Sequence, residues 1–599
     1  VPRSRIDDYK DDEKVYDNED GRRRLRMHPK GSFIYRLAGR DRQKSASYYT
    51  PQVLTQCLVK YALKELLDEK NGRVKKADDI LTLTVCEPAM GSAAFLNEAV
   101  NQLAEAYLER KQAELKTRIP HDQYPQELQK VRMYLADRNV FGVDLNPVAV
   151  ELAEVSIWLN AIYGEQDDNG QPLPARVPWF GYQLFAGNSL IGARHQVYNA
   201  AALKKGAKPA WHEAPPRRAT ADAPRRPDEI WHFLLPDPGM GDYTDKVAKS
   251  LYPEDFARLK AWRKALTAPL GDYEVARLQQ LSQQVEALWA QHTAALARDR
   301  ARTEDQLRVW PHEFEAKSAS GADTTSASSY EKSSDDRSTR VSRAQKEAIR
   351  QQGLLNEDGD LATPFRRLKL VMDYWCALWF WPITRSADLP SREQWWMEVG
   401  AILEGNVVEM ETQRGLDLKP TAPDAPQVLV PEVQPALEGF ETQLPLSQPT
   451  GGANPPNLHD KFGQLRISKL RQHFARVAVV EGIAEQRRFM HWELCFADVL
   501  LGAGPGAAGR AGGGFDLILG NPPWLKVEWN EAGILGERNP VFAVRKISAS
   551  DLAKLRAEAF AQFPGLQADW LQELEEAEGT QNFLNAVQNY PLLKGVQTN

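Results

Sequence analysis

The chain of 599 residues is longer than a single hydrophobic core usually supports, which implies several domains or one domain carrying large insertions. A formal net charge of −6, with 42% hydrophobic and 26% charged residues, is ordinary for a globular protein and excludes an overall field that by itself attracts nucleic acid or membrane. Cys57, Cys86, Cys376 and Cys495 stand far apart with no CxxC pair, so neither a zinc site nor a disulfide framework is indicated and no metal is expected. No apolar run reaches membrane-spanning length, and the first residues lack the apolar core of a signal peptide. The expectation is a cytoplasmic protein with no membrane partner.

Residues 1–44 carry many charges of both signs and read as a mostly solvated arm with one short helix; the arginines at 22–26 read as a solvated run rather than a phosphate contact. Ser47-Tyr48-Tyr49-Thr50-Pro51 then precedes a periodic apolar stretch, Val53, Leu54, Cys57, Leu58, Tyr61, Ala62 and Leu66. This predicts a helix with Thr50 as its N-cap and Pro51 at its first position. Leu81 to Cys86 predicts a strand. It runs into Glu87-Pro88-Ala89-Met90-Gly91-Ser92-Ala93, a small-residue turn of the kind with which doubly wound α/β domains bring backbone up to a cofactor at the C-terminal edge of the sheet.

Helices are expected over 98–116 and 124–136. A second strand, Val140 to Val143, ends in Asp144-Leu145-Asn146-Pro147, and an acid at that tip is where nucleotide-binding sheets hold ribose hydroxyls. After a helix over 148–162, a third edge is expected from Phe185 to Ile191, through Asn188 and Ser189.

From 201 to 487 the pattern becomes helical. Residues 203–228 read as a linker, Pro253 opens a helix with Phe256, Leu259 and Leu266 on one face, and 273–307 reads as part of a helical hairpin or short coiled coil. Residues 318–340 and 413–460 lack the composition of a folded core. Leu368 to Trp381 interleaves aromatics with neighbouring Arg366, Arg367 and Lys369, yet its continuous apolar character favours a buried helix over a base-stacking platform. His491 to Leu500 reads as a strand or a helix-to-strand entry. A Gly/Ala linker follows, then Phe515 to Trp524, FDLILGNPPW: a short buried strand over Leu517 to Leu519 and a turn spelling Asn521-Pro522-Pro523-Trp524. The two prolines fix two successive φ angles and remove two donors, so the turn is stiff and rich in acceptors.

The set EPAMGSAAF, VFGVDLNP and NPPW, preceded by YYTP, resembles the amino-group DNA methyltransferases that use S-adenosyl-L-methionine, in their gamma arrangement. HWELCFADVL ahead of FDLILGNPPW is similar to the large methylases of the Eco57I type, including those of the phage-defence systems BREX and DISARM. The resemblance covers roughly 45–200 and 488–599. It implies a Rossmann-like core of α/β class in two sequence pieces, a doubly wound sheet interrupted by a mostly α-helical insertion at 201–487. It also implies an N6-adenine DNA methyltransferase that marks host DNA in a restriction-modification or phage-defence system.

On that resemblance Asn521 and Pro522 accept the two N–H bonds of a flipped adenine in double-stranded DNA, with Pro523 holding the turn and Trp524 stacking on the base. Thr50 with Pro51, Glu87, and the turn Pro88, Ala89, Met90 and Gly91 meet the amino-acid end of the cofactor. Asp144 and Leu145 hold the ribose side, and Asn188 and Ser189 face the cofactor's adenine. Met90 and Ala93 stand where the family commonly has Cys and a second Gly, and Asn188 where Asp is usual. Family members continue past a segment like 595–599 into further strands and a target-recognition domain, so the resemblance implies a larger polypeptide or other subunits of a defence complex. Two alternatives remain open: methylation of a protein glutamine or an RNA guanine amine, whose planar conjugated amines suit the same turn, and a non-catalytic DNA-sensing subunit.

Overall fold

In the computed structural model the described residues are 3–19, 22–33, 50–68, 70, 72, 74–164, 171, 178–304, 307–311, 341–352, 359–406, 457–501, 513–523, 529–545 and 547–593. The expected unstructured stretch 318–340 lies outside them, as do Trp524 and all of 413–460 except 457–460.

A four-stranded, all-parallel sheet organises the α/β part of the chain: β3 (Val85–Glu87), β4 (Val140–Asp144), β5 (Leu184–Ala186) and β9 (Leu517–Ile518), in the spatial order β5-β4-β3-β9. Alternation along the strands sorts their side chains between two faces. Val85, Val140, Leu184 and Leu519 pack under helices α1 (Gln52–Leu66), α2 (Ala94–Leu115), α3 (Tyr124–Arg138) and α4 (Pro147–Ala161). Cys86, Phe141 and Val143 face Met490, Phe496, Val499 and Leu500 on the other side. Both faces are therefore covered, as a parallel sheet requires. The order places the first strand between the second and the last, so the chain reverses its direction of travel across the sheet between β3 and β9.

Several expectations are corrected. The helix after YYTP begins at Gln52, with Pro51 as its N-cap and no side-chain cap, so Thr50 is not the capping residue. Its hydroxyl is engaged elsewhere, as described below. The arm at 1–44 contains two short 3-10 turns and an antiparallel hairpin, β1 (Tyr16–Glu19) with β2 (Arg22–Leu25), clipped down where Arg545 reaches the Glu13 carboxylate at 2.7 Å. The presumed linker at 203–228 contributes β7 (Arg217–Arg218) to a small antiparallel sheet with β6 (Gln196–Asn199) and β8 (Glu229–Trp231). Strands of two to four residues carry too little alternation to be read. His491 to Leu500 is not a strand but forms two short helices ahead of β9, Trp492–Cys495 and Ala497–Leu500, in keeping with the helix-to-strand alternative, because Phe496, Val499 and Leu500 cover the sheet instead of joining it. Leu517–Ile518 lies at the edge of the sheet among the described residues, with Ile518 65% exposed, and is not a fully buried strand.

The helical region packs around one large apolar core and shares a second, smaller one with residues 534–574. The helix Pro253–Leu266 buries the three expected residues, and α5 (Asp272–Thr303) buries Leu278, Leu281, Val285, Leu288, His292 and Leu296. α5 lies against α6 (Pro364–Ala377) and α7 (Arg392–Glu404), inside the core and not in a separate hairpin. The aromatic run is buried as expected, and its indoles do structural work. Trp375, Trp396 and Trp211 donate to the carbonyls of Leu235, Leu234 and Pro236, each at 2.9 Å, which satisfies a buried stretch of backbone. No described helix is long and apolar enough to cross a membrane.

Candidate active site

The C-terminal ends of β3, β4 and β9 bring together residues separated by more than 400 positions in sequence. At the end of β3, Glu87 is 2% exposed. Burial pushes its carboxyl well above the ordinary range; a backbone N–H from Leu96 in the first turn of α2 opposes that shift and the charge of Asp144 adds to it. Its Oε2 is buried and has no hydrogen-bond partner. A buried carboxylate oxygen left without a donor is costly, and it fits a ligand carrying a cationic N–H group.

The turn after Glu87 is tied to β4. The Met90 N–H donates to the Val143 carbonyl at 3.1 Å, and the Gly91 N–H donates to Asp144 Oδ2 at 2.9 Å. Asp144 Oδ1 accepts from the Asn146 N–H at 2.8 Å, so both carboxylate oxygens are oriented by backbone. Gly91 (φ 52°) and Ala93 (φ 62°) are left-handed, and Ala93 holds a conformation that costs a residue with a Cβ about 1–2 kcal/mol. The turn thus keeps its path with alanine in place of the second glycine. Met90 is buried, and its thioether occupies the room left by Gly142, where a Cβ would sit 2.3 Å from Sδ.

The third edge is joined to the turn through Ser189, whose hydroxyl donates to the Pro88 carbonyl, and through the Gly187 N–H, which donates to the Asp144 carbonyl at 2.8 Å. Asn188 Oδ1 accepts from the Leu190 N–H at 3.1 Å, which closes a local turn and orients the side-chain amide. Chain returning from the helical region runs alongside. The Asn188 N–H donates to the Arg488 carbonyl at 2.6 Å, the Met490 N–H to the Ile191 carbonyl at 2.8 Å, and the Trp492 indole to the Ser189 carbonyl at 3.0 Å. A Cβ on Gly192 would lie 1.9 Å from the Met490 carbonyl oxygen, so only glycine permits this approach. His491 is pinned beneath, accepting at Nδ1 from the Ala193 N–H at 3.0 Å and bonded through Nε2 to buried Asp373 at 2.9 Å.

The Asn-Pro-Pro turn stands on the other side of Glu87. β9 is locked in register by Asp516, whose Oδ2 accepts from the Thr84 N–H (2.8 Å) and hydroxyl (3.0 Å). The Leu519 N–H donates to the Cys86 carbonyl at 2.9 Å, and a Cβ on Gly520 would lie 3.7 Å from Glu87 Cγ and 3.9 Å from Pro88 Cδ. Asn521, Pro522 and Pro523 are exposed. Asn521 Nδ2 donates to Thr50 Oγ1 at 3.3 Å, which turns the amide oxygen to the opposite end of the group.

The sequence-derived residues Thr50, Glu87, Pro88, Met90, Gly91, Asp144, Leu145, Ser189 and Asn521 thus lie along one sheet edge. Asp516, Thr84, Arg488, Trp492 and His491 were missed as partners of that edge. Asp516 lies within FDLILG, His491 and Trp492 within HWELCF with Arg488 just ahead of it, and Thr84 within the strand that leads to Glu87, but no local pattern marks them as partners. No group of acids, histidines or cysteines among the described residues is placed to hold a metal ion.

No family model matches the chain, and no solved structure matches it. It is similar to a protein of Methanocaldococcus jannaschii named "Putative type II restriction enzyme and methyltransferase", at 24% identity over 188 residues. That match covers 26% of this chain and spans only 15% of the length of the relative.

Proposed function

We propose that the chain is an S-adenosyl-L-methionine-dependent DNA methyltransferase acting on the N6 amine of adenine, in a restriction-modification or phage-defence system. The observation that carries the reading is the juxtaposition of Glu87 and Asn521 on adjacent strand ends, where the strand order reverses and α/β sheets bind their ligands. The similarity to a protein named as a restriction enzyme and methyltransferase supports it. In this reading 45–200 and 488–599 form one Rossmann-like catalytic core and 201–487 a helical insertion.

The residues present fit the cofactor. The unpartnered Glu87 Oε2 suits the ammonium of its methionine end, Asp144 suits the ribose hydroxyls, and half-exposed Leu145 offers an apolar face to the purine. When bound, S-adenosyl-L-methionine supplies an electrophilic methyl group on a sulfonium. The protein's task is to make a poor nucleophile competent, because the lone pair of the adenine amine is delocalised into the ring. Asn521 Oδ1 and the Pro522 carbonyl each accept one amine N–H, which biases the nitrogen towards tetrahedral geometry and localises its lone pair. Thr50 orients the amide by holding Nδ2, and the prolines keep both acceptors fixed, so the arrangement is preorganised. The amine is out of reach inside a duplex, so the base is flipped and Trp524 supplies the face on which it stacks.

The test is transfer of labelled methyl from S-adenosyl-L-methionine to duplex DNA, followed by nuclease digestion and identification of the labelled base. N6-methyladenine is the expected product. Label recovered in protein or RNA would favour the glutamine or guanine reading, and cofactor binding without transfer to any of these would favour a DNA-sensing subunit.

A further inference from the structure

Arg488 follows the helix α8 (Ala475–Arg487) and occupies its C-cap in the left-handed region, φ 52° and ψ 55°. Glycine or asparagine is the usual residue there, because a larger side chain costs energy in that conformation. An arginine at such a position needs a reason, and its surroundings supply one. The Arg488 carbonyl accepts the Asn188 N–H, fixing its backbone to the third sheet edge. Its side chain crosses back, and Nη1 donates to the Leu145 carbonyl at 2.5 Å. The guanidinium therefore stands beside the tip of β4, next to Asp144 and Leu145. Arg488 is exposed and, among the described residues, has no acidic partner and spends one of its five N–H donors.

Two features place this cation at the nucleoside end of the proposed cofactor. β4 is separated from β9 by β3, so Arg488 lies about 10 Å across the ladder from the Asn521 strand, away from the target base. In addition, Asn188, expected to face the purine, donates its backbone N–H to the Arg488 carbonyl at 2.6 Å, which sets Arg488 beside the same edge. The purine presents ring-nitrogen acceptors, and a donor-only guanidinium complements them. We infer that Arg488 is a cofactor-binding residue that donates to the purine ring nitrogens of S-adenosyl-L-methionine; this rests on the methyltransferase reading above. The helical region would then contribute directly to the cofactor site.

The test compares wild type, Arg488→Gly and Arg488→Lys by calorimetric titration with two probes, S-adenosyl-L-methionine and 5′-methylthioadenosine, which lacks the amino-acid end. Arg488→Gly should weaken both probes by the same factor, roughly tenfold for one charge-assisted hydrogen bond. Its melting temperature should not fall, because glycine accepts the left-handed conformation. Arg488→Lys, which keeps charge but loses the fork, should fall between wild type and Gly. Weakening confined to S-adenosyl-L-methionine, or no weakening of either probe, would overturn the inference. So would reduced DNA affinity with both probes unaffected. Wild type that binds neither probe would instead remove the methyltransferase reading, and the inference with it.

Discussion

The two sides of Glu87 are built differently. On the cofactor side, the turn, Asp144, Ser189 and the returning chain at 488–492 are linked by a continuous set of backbone and side-chain hydrogen bonds over buried packing. On the other side, the Asn-Pro-Pro turn follows a two-residue strand, is exposed, and is tied across to Thr50. The first arrangement suits a ligand that is always the same. The second leaves room for a macromolecular substrate to complete the site, with rigidity supplied locally by the prolines instead of by surrounding packing.

If that division is right, substitutions on the two sides must separate rate from cofactor affinity. The largest effect is expected for Asn521→Ala. Removing a preorganised acceptor should lower single-turnover methyl transfer by about 10²–10³-fold while leaving the calorimetric Kd for S-adenosyl-L-methionine unchanged. Glu87→Gln should act in the opposite sense, weakening cofactor binding about 10–100-fold through loss of a charged hydrogen bond, with little change in rate at saturation. A matched fall in affinity for both variants would dissolve the distinction. Thr50→Val keeps the side-chain volume but removes the hydroxyl that accepts from Asn521 Nδ2. It should cost roughly tenfold in rate and nothing in cofactor affinity.

The pH dependence sharpens the same contrast. The Glu87 carboxyl is raised by burial, so in the free protein it holds its proton to higher pH than an ordinary glutamate. A cationic ligand binds the ionised form, so affinity for S-adenosyl-L-methionine should rise with pH until that raised pKa is passed. Binding below it should release a proton, detectable as a binding enthalpy that changes with the ionisation enthalpy of the buffer. For stability the sign is reversed. A raised carboxyl stabilises the free protein fully below the unfolded pKa, and that contribution is lost as pH rises through the folded value. Asp237, raised from 3.8 to about 7 by burial, behaves alike, so Asp237→Asn should flatten the loss of melting temperature between about pH 4 and 7. Gln588 can turn its buried, unpartnered Oε1 towards the new amide. The smallest effect is expected for Ala93→Gly, where relief of left-handed strain is largely offset by the entropy of glycine. Its stability should rise by about 1 kcal/mol or less in denaturant titrations, with cofactor affinity intact.

Much of the edge around Glu87 was legible because its pattern is local: strand, acid, small-residue turn and helix lie within a dozen residues. The buried aromatic helix and the apolar face of α5 were legible for the same reason, since periodicity is a short-range signal. What was not legible depends on pairing across the chain. The Thr50 hydroxyl looked like a cap because the sequence offers a helix start beside it, whereas its partner, Asn521, is 471 positions away. The Asp516–Thr84 lock, the run of chain beside Asn188 and the two-residue strand β7 likewise have no local pattern that announces them.

The sheet's order carries a temporal consequence. β3, β4 and β5 lie within about 100 residues of one another, but β9 joins them only after some 330 further residues have been traversed. Closing so long a connection adds little equilibrium cost yet delays the contact, because loop-closure entropy must be met before the pairing rewards it. A nascent chain can assemble the β3-β4-β5 edge early and lay down the helical core next, whose final segment already rests on Asn188. Only then does β9 dock, bringing Asn521 to Thr50. The Asn-Pro-Pro turn is expected to be the last part of the site to form during synthesis and the first to open in hydrogen exchange.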